Sequence, residues 1–195
     1  MNEWDNFSYT AAEFEKLMIG GGEFKDYTNI INVVRKHPDF EKRKISIVDL
    51  GCGVASLYSA FKKQKIENNI LYTGVEGCTK YINCCRERHP GISFIETNAE
   101  LYTSDQMVDM VVCKDVLIYI KKPKEFLDRI AGYALSMFLI TPPFTDPGSK
   151  MTDRYFKWET LLPSVELESY IKTLGTICPQ QFDTTKYSSV IYFKR

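Results

Sequence analysis

Short apolar runs rich in β-branched residues alternate with amphipathic stretches from Ile45 onwards, and this alternation is the strongest pattern in the chain. Ile45 to Leu50 (ISIVDL) ends at glycines and suits a central strand buried on both faces. A helix is predicted over about 54–65, a second strand over Ile70 to Glu76 (ILYTGVE), and a helix from Cys78 to about Arg88, stopped by His89-Pro90-Gly91. Ile92 to Glu96 is the third strand and Val108 to Cys113 the fourth. A helix follows from about Pro123 to Leu135, with proline where a first turn accepts it, and Met137 to Thr141 is the fifth strand. Strands alternating with helices predict a parallel sheet covered on both faces.

The tail departs from that rhythm. Pro142-Pro143 ends the fifth strand, a polar loop runs to about Thr152, and Trp158 to Leu174 reads as a helix with a break at Pro163. Two apolar runs remain, Thr176 to Phe182 and Tyr187 to Lys194, joined by Asp183-Thr184-Thr185. So short a connection requires an antiparallel hairpin, because a parallel crossover takes about a dozen residues or more. Pro179 places the first of the pair at a sheet edge. The expected fold is α/β: a doubly wound seven-stranded sheet, mostly parallel, with an antiparallel C-terminal strand hairpin and helices on both faces.

Residues 1–44 differ in character. Asn2 to Met18 sets Trp4, Phe7, Tyr9, Phe14 and Leu17 among charges, as an amphipathic helix does. Gly20-Gly21-Gly22 breaks it, and a second helix runs from about Glu23 to Arg35. The expected organisation is a helical cap or lid over 1–44 and one domain over 45–195. Trp4, Phe7, Tyr9 and Phe24 either form that lid or pack on the sheet edge. The glycine run serves either as its hinge or as a source of backbone N–H groups.

At 195 residues, 44% apolar and 26% charged, the composition is that of an ordinary globular domain. Formal net charge is zero, which disfavours nonspecific nucleic-acid binding, although three lysine-rich clusters occur at 42–44, 62–65 and 121–124. The six cysteines form no CxxC pair and have no histidines at ligand spacing, so no metal site is expected. Cysteines inside apolar runs and the absence of a leader pattern suggest a reducing cytoplasm, and no run approaches the length of a membrane span.

The chemistry concentrates at Asp49-Leu50-Gly51-Cys52-Gly53-Val54-Ala55, where a buried strand turns sharply into a helix. Glycines there let a ligand lie against backbone N–H groups at a helix start. Asp49 puts a carboxylate where a cationic ligand group can meet it. Glu76, closing the second strand beside Gly77, is placed to accept hydrogen bonds from ribose hydroxyls. Asn98-Ala99, after the third strand, offers an amide for an adenine edge, or serves only as a turn.

Together the run VDLGCG, the acid ending the second strand, the polar residue after the third and the predicted strand order resemble the Rossmann-like S-adenosylmethionine-dependent methyltransferases, from about Ile45 to Arg195. The resemblance implies that Gly51, Cys52 and Gly53 lie along the methionine part of the cofactor. It implies that Asp49 meets the amino group directly or through water, that Glu76 and Gly77 hold the ribose, and that Asn98 and Ala99 flank the adenine. Lys114 and Asp115 would stand beside the methyl group. Asp115 is the first candidate general base for an acceptor hydroxyl or ammonium, followed by Tyr119 and Asp146; alternatively Lys114 and Asp115 are a helix-cap pair.

Two departures stand out: Ala55 replaces the third glycine of the usual motif, and Ser56 removes support for a nicotinamide fingerprint. Thr141-Pro142-Pro143-Phe144 is similar to an amine-methylating signature but follows the wrong strand. A small-molecule acceptor is the expected partner. An RNA or protein methyltransferase, or a catalytically silent cofactor-binding protein, are the alternatives.

Overall fold

The computed structural model describes residues 9–20, 23–141, 164–177 and 189–194. The chain divides into two compact units, 1–102 and 103–195.

The first unit runs α1 (Ala11–Gly20), α2 (Glu23–Arg35), β1 (Ile45–Leu50), α3 (Ser56–Lys63), β2 (Ile70–Glu76), α4 (Thr79–Arg88) and β3 (Ser93–Glu96). Its strands are parallel, with β2 between β1 and β3. The register pairs Ile45 with Ile70 and Leu50 with Val75, so the turns leaving β1 and β2 sit side by side on one rim. β1 is buried on both faces as its largely apolar, β-branched run predicts. Leu57, Tyr58 and Phe61 of α3 and Tyr81, Ile82 and Cys85 of α4 turn inward at helical spacing. The ring of Tyr72 packs against those of Tyr58, Phe61 and Phe94, with centroids 5.1 to 6.4 Å apart.

The second unit holds β4 (Met110–Lys114), α5 (Pro123–Tyr133), β5 (Ser136–Thr141), α6 (Ser164–Leu174), β6 (Thr176–Ile177) and β7 (Ser189–Lys194). β4 and β5 are parallel, whereas β7 runs antiparallel to both β5 and β6. α5 buries Phe126, Leu127, Ile130 and Tyr133. Tyr170 of α6 donates to Asp128 of α5 at 2.6 Å, a bond that pushes its hydroxyl pKa up to about 12. Three parallel strands in one unit and two in the other, with helices between them, make an α/β fold.

Element boundaries moved where backbone geometry intervened. α3 starts at Ser56, because Ala55 adopts a left-handed φ of 58° and serves as the N-cap. β4 begins at Met110, since Val108 forms only an isolated bridge to Ala134, whose extended backbone ends α5 before Leu135. The predicted start of the first helix, part of the glycine run, the stretch from Pro142 to Pro163 and the tail loop lie outside the described residues. Among the described residues no helix is long and apolar enough to cross a membrane.

Gly74, mid-β2, fixes how closely the layers approach. A Cβ there would stand 2.7 Å from the Phe94 ring and 2.8 Å from Cys52 Sγ. Gly74→Ala is therefore expected to lower stability by about 1–3 kcal/mol through overpacking, seen as a lower urea midpoint at unchanged slope.

Candidate functional site

The turn after β1 is built on left-handed backbone. Gly51, Gly53 and Ala55 have φ of 69°, 55° and 58°. Two glycines adopt this freely, whereas the alanine pays roughly 1–2 kcal/mol. The Gly51 and Cys52 N–H groups both donate to the Val75 carbonyl, at 2.7 and 3.0 Å, which ties the turn to β2.

Glu76 closes the arrangement. Its Oε2 accepts from Gly53 N–H at 2.9 Å and its Oε1 from Cys78 N–H at 2.8 Å, while Gly77 N–H adds a third backbone donor. One carboxylate thus joins the β1–α3 turn to the β2–α4 turn. Burial pushes its pKa up, opposed by the N–H donors of Cys78, Gly53 and Gly77.

Asp49 is buried, and its Oδ2 accepts a 2.6 Å hydrogen bond from the Tyr72 hydroxyl. Burial, then the Asp49 charge, raises the Tyr72 pKa well above its ordinary value, so the phenol remains a donor. Cys52 contributes to the turn through its backbone, because its sulfur points inward beside Gly74. The Cys85 thiol donates to the Gly53 carbonyl at 3.2 Å. A hydrogen bond with Cys85, then burial, pushes the Cys52 thiol well above its ordinary value, keeping that sulfur a packing group.

α1 lies directly on this turn. A Cβ on Gly53 would stand 2.8 Å from Phe14 Cε1, and the Phe14 ring packs on Tyr81 with centroids 4.8 Å apart. Ala11 and Phe14 cover Val54, Cys78 and Tyr81. A capping box starts the helix: Thr10 N–H donates to Glu13 and Glu13 N–H to Thr10 Oγ1. Those bonds hold the Glu13 carboxyl below its ordinary pKa.

Asn98 opens a turn, its carbonyl accepting from Leu101 and Tyr102 N–H, with half-buried Ala99 next to it. In the second unit, Lys114 ends β4 and its ammonium contacts the carboxylate of Asp115. Asp115 holds a left-handed φ of 55°, at the bend into a one-turn 3-10 segment over Leu117–Tyr119. Tyr119 is half-buried there. Asp146, Trp4 and Phe7 lie outside the described residues. His89 is buried, with Nε2 3.3 Å from Ser59 Oγ and its ring edge-on to Tyr58, so it stitches α4 to α3. His37 Nδ1 accepts from Asp39 N–H just beyond α2. Among the described residues no group of three or more histidines, cysteines or carboxylates is placed to hold a metal ion.

Sequence reasoning missed Tyr72, Phe14 and Cys85 as parts of the turn. All three depend on strand register or tertiary packing, which no local pattern carries.

Three solved structures that share this fold are methyltransferases. A TehB-like SAM-dependent methyltransferase from Corynebacterium glutamicum aligns with a TM-score of 0.66 at 12% identity, covering 95% of each chain. A magnesium protoporphyrin IX methyltransferase from Synechocystis with bound SAH aligns at 0.63, with 18% identity over 88% of this chain and 84% of that one. The plantazolicin methyltransferase BpumL, in complex with a pentazolic substrate analogue and SAH, gives 0.55 at 18% identity, covering 65% of this chain and 51% of that one. The chain thus spans about half the length of that enzyme. The comparison with curated proteins gives no match.

Residues 48–134 match the family model described as a methyltransferase domain. Over that stretch the chain is similar to methyltransferase domains, and the solved structures share its α/β fold.

The raised Glu76 pKa makes ligand-free stability pH-dependent. The folded state holds the proton to higher pH than the unfolded chain, so the associated stabilisation is complete below the ordinary value of 4.5 and lost as pH rises through the folded value. Glu76→Gln is expected to flatten that part of the curve of urea midpoint against pH; superimposable curves for the two proteins would refute the assignment.

Proposed function

We propose that this chain transfers the S-adenosylmethionine methyl group to a small-molecule acceptor. The observation that carries the reading is Glu76, a carboxylate at the end of β2 held against a left-handed glycine turn by backbone N–H groups. The residues fit an adenosyl donor: an acid for the ribose diol and a turn whose glycines keep the backbone bare. An ionised carboxylate has about four lone-pair sites, and three N–H donors already use most of them. Two ribose hydroxyls therefore compete with these donors for the remaining lone pairs.

In this reading Gly51, Cys52 and Gly53 present backbone to the methionine moiety, Asp49 provides negative charge behind them, Gly77 supports the ribose, and Asn98 and Ala99 flank the adenine. When bound, the donor supplies an activated methyl group on a good leaving group. What remains for the protein is alignment and, for a hydroxyl or ammonium acceptor, removal of a proton. Asp115, in contact with the Lys114 ammonium, takes that proton; Tyr119 and Asp146 are the next candidates. Residues 1–44 act as the cap, consistent with Phe14 resting on Gly53. The fold is read as doubly wound, with seven strands and a C-terminal hairpin, and the enzyme works in the cytoplasm. A porphyrin methyltransferase and a plantazolicin methyltransferase among the neighbours support an acceptor smaller than a macromolecule.

Calorimetry with S-adenosylmethionine, followed by transfer of labelled methyl to a panel of small alcohols, acids and amines, tests the reading. Glu76→Ala is expected to weaken donor binding about 10–100-fold, the value of a charge-assisted hydrogen bond. Asp115→Asn is expected to leave donor affinity unchanged and reduce turnover ~10²–10⁴-fold. Absence of binding heat with the wild-type chain would remove the reading. Binding without transfer to any acceptor would favour a silent cofactor-binding protein.

A further inference from the structure

Two of the lysine clusters that lie apart in the sequence are brought together by the fold. Lys42, Arg43 and Lys44 precede β1, whereas Lys62, Lys63 and Lys65 end α3 and lead towards β2. Because Ile45 pairs with Ile70, both stretches arrive at the N-terminal end of the same parallel strand pair. Asn69 donates to the Phe40 carbonyl at 3.0 Å, tying the segment before β1 to the entry of β2. Arg35, at the end of α2, reaches the Gln64 carbonyl and side-chain oxygen, both at 3.3 Å, which brings the end of α2 and neighbouring Lys36 to the same place.

All eight of these cations are exposed, and the same segments carry only Asp39, Glu41 and Glu67 as acids, so eight positive against three negative charges leave a surplus of five. Asp39 is shared between Lys42 at 3.7 Å and Arg43 at 3.1 Å, pairs too exposed to cancel the field. Helix C-termini favour nearby cations and account for Arg35, Lys62 and Lys63. They do not account for Lys42, Lys44 and Lys65. In a chain with zero net charge, this is a segregated field rather than a general basicity.

We infer that this face binds the phosphodiester backbone of a duplex nucleic acid, as an anchoring surface distinct from the methyl-transfer site. Three features select that partner. The surplus is mostly lysine, a point charge suited to a repeating phosphate array, and both arginines are engaged within the protein. Of the large exposed apolar side chains of the described residues, Ile95, Leu101, Met107 and Leu135 lie elsewhere, and Leu71 alone adjoins the entry of β2. Protein interfaces deplete lysine and rely on apolar or aromatic anchors, stable membrane docking needs a second, apolar signal, and single strands need aromatic stacking platforms. Phe40, the aromatic in the patch, is buried. The inference does not depend on the identity of the methyl acceptor.

The test is fluorescence anisotropy of the full chain with short labelled duplex RNA and duplex DNA, between about 50 and 200 mM salt. Five neutralised phosphates predict a log–log salt slope of about −4 to −5 and an affinity loss on the order of 10²–10³-fold across that range. The triple variant Lys42→Glu, Lys44→Glu, Lys62→Glu is expected to abolish binding of either duplex. The milder Lys42→Gln, Lys44→Gln pair, which guards against a folding defect, is expected to weaken it and reduce the slope by about 2. Lys121→Glu with Lys124→Glu, in the other unit, is expected to leave binding unchanged. Donor calorimetry on the same variants is expected to match wild type, which separates failure here from failure of the methyltransferase reading. No duplex binding at low salt, equal loss from the Lys121 and Lys124 changes, or equal binding of polyglutamate or phosphatidylserine vesicles would overturn the proposal.

Discussion

The candidate site depends on one desolvated carboxylate and the backbone donors that make its burial tolerable. Glu76 sits where two turns meet, and it is satisfied by N–H groups from both. A buried charge of this kind is costly without hydrogen bonds, and the backbone donors offset part of that cost. The glycine turn and the acid therefore specify each other: Gly53 must be left-handed to aim its N–H, and Glu76 gives that strained turn a reason to stay closed. The β1–β2 register makes this possible by ending both strands at the same level.

Gly53 is constrained twice. Its φ of 55° favours glycine, and the space a Cβ would fill belongs to Phe14. A ten-residue helix such as α1 is marginal in isolation, so its stability comes from its capping box and from docking on Val54, Cys78 and Tyr81. The same packed surface that orders the helix covers the turn, so anything that displaces Phe14 both exposes Gly53 and loosens α1. Packing of the N-terminal segment and access to the turn are coupled through one aromatic ring.

Much of this was legible from residue order. ISIVDL followed by glycines announced a buried strand and a bare turn, and the acid at position 76 was visible because the second strand had a clear end. What escaped was anything set by register or tertiary contact. Tyr72 reaches Asp49 because parallel pairing brings β1 and β2 alongside, and no local pattern pairs residues 23 apart. Ala55 read as a helical residue by propensity, yet the turn forces it left-handed and shortens α3. The two lysine clusters lie about twenty residues apart in the sequence; only the strand register makes them neighbours.

Parallel architecture also explains why acid and base separate within the first unit. Helices α2 and α3 end where β1 and β2 begin, so their negative dipole ends attract lysine and arginine to that side. The opposite side gathers helix starts, the glycine turn, Asp49 and Glu76. A sulfonium donor is cationic, and lysines close to its binding turn would repel it. β1 has six residues, and at ~3.3 Å per residue it holds the two charge fields roughly 20 Å apart. That is more than twice the screening length of about 8 Å at physiological salt. The sheet thus keeps the basic face of this unit apart from the acidic turn on its other rim, a separation that the zero net charge of the chain conceals.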